Sequence, residues 1–145
     1  MQSNSYGGHS AHHDSGGSPF ICNLRRITQA NDSFRTAVWT GQHLQMTLMC
    51  IPARGEIGLE MHEDVDQLLC LEAGRAMVYL GDSPHCMRRW GSVGCGDAIL
   101  IPAGTWHNLV NTGSHALKLY SLYAPPQHPF GTVHRTQADA AYGEH

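Results

Sequence analysis

The chain has 145 residues, 14% of them charged, with a formal net charge of −3. That length suits one domain with a sizeable core. Lys118 is the sole lysine and no basic run occurs, which excludes the electrostatic footprint of a nucleic-acid binder. No apolar stretch reaches the roughly 20 residues of a membrane helix. The first 18 residues lack the apolar core of a secretory signal, and a cytoplasmic protein with neither membrane nor nucleic acid as partner is the expectation.

The chain begins MQSNSYGGHSAHHDSGGS, rich in glycine and serine and carrying His9, His12 and His13. Such a composition buries too little surface to offset its ordering entropy. Residues 1–18 are therefore predicted to be a disordered tail and 19–145 a single domain. Pro19 to Leu24 is predicted as an extended arm, and residues 25–33 (RRITQANDS) as a loop or one helical turn. Short apolar, β-branched runs follow, each closed by turn residues. They are Thr36 to Thr40, His43 to Ile51, Ile57 to His62, Gln67 to Glu72, Arg75 to Leu80, Asp97 to Ile101, His107 to Asn111 and Ala116 to Tyr123. Ala73-Gly74 reads as a hairpin turn, and residues 81–94, with Pro84 and several glycines, as an irregular hairpin or loop. No helical period is sustained. Short strands spaced by turns predict an all-β sandwich or barrel. After Ala124 the chain is proline-rich, and Thr136 to Tyr142 suits a short helix. The cysteines (Cys22, Cys50, Cys70, Cys86 and Cys95) are odd in number and form no CxxC pair. They are expected to be reduced, mostly buried thiols rather than a disulfide framework.

One stretch carries a recognisable pattern: GDAILIPAGTWHNLVN, from Gly96 to Asn111. An apolar run ends at the Pro102-Ala-Gly104 turn, where proline fixes φ and glycine admits a positive φ. The chain then resumes at His107. With Pro102, Gly104, His107 and Asn111 at these spacings, the stretch resembles the second signature of the cupin superfamily, a metal-binding double-stranded β-helix (jelly-roll barrel) in which that histidine is a ligand. The first signature of the family has a glycine, His-x-His, a glutamate and a closing glycine. In this chain Gly74 stands at the closing glycine, Gln67 at the glutamate, His62 at the second histidine and Glu60 at the first, with Gly55 one residue out of register. The resemblance covers roughly residues 36–124. The segments NDSFRTAVWTGQHLQMTLM, IGLEMHEDVDQ and LYSLYAPPQHPFGTVHRTQADA further resemble a group of small single-domain bacterial cupin-2 proteins without an established reaction, often described as mannose-6-phosphate isomerase-like.

The resemblance implies a metal set of Glu60, His62, Gln67 and His107. The chemistry of these residues agrees. Glu60 and His62, two apart on a strand, point to one face. Two imidazoles, a carboxylate and an amide oxygen carry the same formal charge as three histidines and a glutamate. The set suits one divalent ion, whether zinc, iron or manganese. Asp64 is a reserve ligand. A metal with open positions supports isomerase or epimerase-like chemistry on a hydroxy-carbonyl or sugar compound; iron-dependent dioxygenase, lyase and non-catalytic ligand-binding readings stand beside it. Each reaction needs an acid or base near the metal. The candidates are His128, His134 and Tyr123, followed by Tyr120, Lys118 and His43. His128 and His134 are favoured because a terminal segment could fold across the barrel mouth. Leu68 and Cys70 would lie on an outward apolar face, so a homodimer is expected.

Overall fold

The computed structural model describes residues 13–143. They form two antiparallel sheets packed on one core. The larger sheet has the order β6-β3-β8-β2-β1-β9. Its strands are β1 (Arg35–Thr40), β2 (Gln45–Ile51), β3 (Asp66–Ala73), β6 (Ala98–Ile101), β8 (Leu117–Ala124) and β9 (Val133–His134). The smaller has the order β5-β4-β7, from β4 (Arg75–Gly81), β5 (Met87–Gly94) and β7 (Trp106–Asn111). This is the all-β double-stranded β-helix that the resemblance implies. Along β8 every second side chain is buried: Leu117, Leu119, Ser121 and Tyr123 turn inward while Lys118, Tyr120 and Leu122 face outward. Met49, Leu71 and Leu119 from the large sheet meet Val78, Leu80 and Leu109 from the small one. Each such buried side chain stabilises the fold by about 1.5–3 kcal/mol.

The outer face of β1 and β2 is covered as well, which is why β2 reads as a continuous apolar run rather than an alternating one. The cover is helix α1 (Leu24–Ala30). Its Ile27 packs on Val38, Met46 and Leu48, with Phe20, Cys22 and Leu24 of the arm beside them. Residues 25–33 thus hold about two helical turns rather than one. The Asn23 side chain accepts a bond from the Arg26 N–H at 2.9 Å and starts the helix. At the other end, α2 (Gln137–Gly143) occupies the stretch predicted to be helical.

Four expectations change. Ala73-Gly74 is not a hairpin turn, because β3 and β4 belong to different sheets. The chain crosses between sheets there. Gly74 has φ +94°, and a Cβ on it would stand 3.0 Å from the Leu117 backbone, so the crossing needs glycine. Residues 81–94 are not wholly irregular. Their second half is β5, a polar edge strand held by its backbone pairing to β4, and such pairing leaves no hydrophobic period to read. The cysteines are all free, but Cys86 and Cys95 are exposed and the other three only half-buried. Of the tail predicted to be disordered, residues 1–12 lie outside the described residues. Residues 14–18 are hydrogen-bonded to the barrel. Asp14 accepts from the Thr40 hydroxyl at 2.6 Å and the Gly131 N–H at 2.9 Å, and the Trp39 indole N–H donates to the Ser18 carbonyl.

The large sheet's inward face is graded along its strands. At one end it is apolar, with Ile51 beside Leu117 and Leu119 between Met49 and Leu71. At the other end Gln45, Tyr123 and Gln67 lie side by side on neighbouring strands. Polar groups collected inside a barrel mark the end where chemistry is built.

Candidate metal centre

Glu60 and His107 are cross-strand partners. The Glu60 N–H donates to the His107 carbonyl at 3.0 Å, and the His107 N–H returns the bond at 2.9 Å. In such a hydrogen-bonded pair the two side chains leave the sheet on the same side. The segment from Ile57 to His62 is not a full strand; it joins β7 through isolated bridges at Glu56 and Glu60. That suffices to place His62 on the same side, two residues on. The Gly104 N–H then donates to the His62 carbonyl at 2.8 Å, so the proline–glycine turn of the second signature clamps the first.

The result is a focal point. Glu60 Oε1 lies 3.2 Å from His62 Nε2 and 3.5 Å from His107 Nε2, and the three ligand atoms all fall within 4.8 Å of one another. His107 Nδ1 is 2.9 Å from the Thr105 carbonyl oxygen. A carbonyl only accepts, so Nδ1 carries a proton, and Nε2 is the ring atom turned towards Glu60. This Nε2 is buried without a hydrogen-bond partner, and so is Oε1 of Gln67. Gln67 Nε2 donates to Ser121 Oγ at 2.9 Å, which leaves the amide oxygen as the available donor atom. A buried ring nitrogen left without a partner beside a carboxylate, as His107 Nε2 is beside Glu60, is costly without a cation between them. The residues present therefore fit a divalent ion.

Burial by itself would raise the Glu60 carboxyl, but the two imidazoles and the charge of Arg35 outweigh it and hold the group well below the usual carboxylate range. Arg35 is the residue that sequence reasoning missed. It opens β1 and is only 2% exposed. Its register opposite Met49 and His134 turns it inward. Its Nη2 lies 3.6 Å from Glu60 Oε2, and its Nη1 lies 3.2 Å from His134 Nδ1. Guanidinium only donates, so His134 Nδ1 is an acceptor here. The available signal was an arginine leading an otherwise apolar, β-branched run.

Of the acid–base candidates, Tyr123, His128 and His134 are all buried and stand in a chain of ring contacts. Centroids are 5.9 Å apart for His62–Tyr123, 5.0 Å for Tyr123–His128 and 6.4 Å for His128–His134. The Tyr123 hydroxyl lies 3.2 Å from His128 Nε2. Burial raises the Tyr123 phenol. Burial first, and Arg35 second, depress His128 to about 3, so phenol and imidazole are both neutral at ordinary pH. The segment bearing His128 is tied to the barrel by Gln45, whose side chain bonds the His128 backbone N–H at 2.9 Å and carbonyl at 2.8 Å. The lesser candidates lie elsewhere. Lys118 faces outward and bonds Asn31 and Asp32, Tyr120 faces outward, and His43 and Asp64 are exposed.

The comparisons with known proteins agree with this architecture. The Cupin domain model matches residues 47–123. The uncharacterized protein YrkC of Bacillus subtilis is 53% identical over 131 residues, covering 90% of this chain and 70% of that protein. The uncharacterized protein L612 of Acanthamoeba polyphaga mimivirus is 35% identical over 118 residues, covering 79% and 70%. The crystal structure of BH2720 from Bacillus halodurans superposes with a TM-score of 0.85 at 51% identity, covering 90% of this chain and 99% of that one. With a matching family model, close relatives and the barrel itself in agreement, the chain belongs to the cupin domain family.

Proposed function

We propose that this cupin is a metal-dependent enzyme that moves a proton on a small hydroxy-carbonyl compound, an isomerase- or epimerase-like reaction. Glu60, His62 and His107 would hold one divalent ion, with the Gln67 amide oxygen as a fourth, weaker donor. The ion would polarise a substrate carbonyl. The remaining work belongs to the chain. The observation that carries the reading is the Tyr123–His128 couple beside His62. A buried neutral phenol can donate a proton and a buried neutral imidazole can accept one, and at 3.2 Å they can pass it between them. The Tyr123 hydroxyl would take the proton from carbon while passing its own to His128 Nε2, and the reverse relay would return it to the neighbouring carbon, with the substrate's hydroxyl proton passing to the former carbonyl oxygen. His134 is engaged by Arg35 and steadies the base of this network.

The test is solvent deuterium uptake. The metal-loaded protein is incubated in D2O under strict anaerobiosis with small hydroxy-aldehydes, hydroxy-ketones and hydroxy-acids. Deuterium should enter at the carbon next to the carbonyl, and Tyr123→Phe should slow it by about 100-fold or more. Oxygen uptake by the iron-loaded protein, with no anaerobic exchange, would replace this reading by the dioxygenase one. A ligand-induced melting shift without exchange would replace it by the ligand-binding one.

A further inference from the structure

The charge of the site does not balance. With an ion held on their ring nitrogens, His62 and His107 would contribute none; Gln67, Tyr123, His128 and His134, whose Nδ1 accepts from Arg35, add none either, while Glu60 contributes one negative charge and Arg35 one positive. A divalent ion on Glu60 would therefore leave a buried pocket with two positive charges in excess. The guanidinium would also lose its counter-ion, since Glu60 is the carboxylate it faces. An ionised group kept from water needs a partner of opposite charge. Arg35 already has an edge prepared for one. Nη1 is engaged by His134, but Nε is buried with no hydrogen-bond partner, and Nη2 has Glu60 at only 3.6 Å. Nε and Nη2 share one edge of the guanidinium plane, the edge that grips both oxygens of a carboxylate in parallel. Nor is Arg35 remote from the proton couple, because its charge acts on both Tyr123 and His128. Glu60 is the more open of the pair, its side chain 23% exposed against 3% for Arg35.

We propose that the Nε–Nη2 edge of Arg35 binds a carboxylate of the small-molecule ligand, which makes the substrate class a hydroxy- or oxo-carboxylate rather than a neutral sugar. The inference rests on the metal reading above and narrows it. With one end on Arg35 and the other directed to Glu60, His62 and His107, such a ligand would span the polar end of the barrel that also carries Tyr123.

The experiment is a calorimetric titration of the full-length protein with glycolate, a hydroxy-carboxylate, and with glycolamide, its neutral counterpart. Wild type, Arg35→Gln and Arg35→Lys are compared, each first titrated with zinc and its folding checked by circular dichroism. Zinc-loaded wild type should bind glycolate at least about tenfold more tightly than glycolamide, the worth of a charge-assisted bidentate pair. Arg35→Gln should erase that preference while binding zinc within a few-fold of wild type, and Arg35→Lys should keep a reduced preference. Zinc-free wild type should discriminate less, because Glu60 then remains a competing carboxylate for the guanidinium. The inference is overturned by equal glycolate preference in wild type and Arg35→Gln, by no preference in wild type, or by loss of zinc binding in Arg35→Gln, which would make Arg35 a positioning residue for Glu60. Should Arg35→Gln fail to fold, an undiminished preference in Arg35→Lys overturns it equally. Failure of wild type to bind zinc sinks the metal reading in the first titration; zinc binding without glycolate preference sinks this inference alone.

Discussion

His128 should make this protein lose stability in mild acid. Its imidazole is buried against Tyr123 with Arg35 nearby, and its pKa lies at about 3 in the folded chain against 6.5 for an ordinary histidine. A group depressed by folding stabilises fully above its unfolded value, and that contribution drains away as pH falls towards the folded value. From pH 6.5 down to 4.5 the unfolded chain takes up a proton that the native chain refuses, and the loss is about 2 kcal/mol at ~1.4 kcal/mol per pH unit. The Glu60 carboxylate does not confuse this window. Its folded pKa is held below the ordinary 4.5, so its contribution is complete above that pH and fades only below it. The assay is urea unfolding of metal-free protein at half-unit steps from pH 7 to 4.5, wild type against His128→Gln. The variant keeps the backbone bonds to Gln45 but cannot titrate. The stability gap between the two should shrink by about 2 kcal/mol across the window. Parallel curves would refute a buried neutral His128, and with it the base assigned to the proton couple.

Other outcomes follow from single contacts. Gly74→Ala combines a left-handed backbone with a Cβ 3.0 Å from the Leu117 backbone, and should cost about 2 kcal/mol or more in thermal unfolding. Gly104→Ala, with φ +83° but open space around its Cβ, should cost only about 1–2 kcal/mol. Equal losses would contradict the crowded crossing at Gly74. Gln45→Leu strands the Gln127 and His128 amides that its Oε1 receives; it should destabilise by about 2–4 kcal/mol, with faster hydrogen exchange at those two amides than elsewhere in the barrel. The proposed homodimer uses the outer face where Leu68 lines an apolar groove with Leu100, which is 74% exposed. Leu100→Asp should yield monomers in sedimentation equilibrium, and a wild type that stays monomeric at all concentrations would remove the dimer.

The barrel was legible because short apolar, β-branched runs are closed by turn residues, and because the proline–glycine turn before His107 has a distinctive spacing. Three ligand candidates were legible for the same reason: Glu60 and His62 are fixed by local spacing, and His107 by its own signature. What the sequence hid was partnership. That Gly74 changes sheets depends on Leu117, more than 40 residues away. Arg35 reaches its meaning only through Glu60 and His134, brought together by the pairing of β1 with β9. β5 escaped because an edge strand with polar side chains owes its conformation to backbone pairing with β4. Residues 14–18 escaped because Asp14 bonds to Thr40 and Gly131, contacts that no local composition reveals.

The chemistry proposed for this barrel requires a metal at the Glu60–His62–His107 focus. The decisive measurement is the metal content and zinc affinity of the full-length, tag-free protein, compared with Glu60→Gln, with His107→Ala, and with a triple alanine variant of His9, His12 and His13. One divalent ion per chain is predicted. Affinity should fall at least about 100-fold in the first two variants and stay unchanged in the triple variant. No stoichiometric ion in folded wild type, or an ion lost with the tail histidines and kept without His107, would contradict it.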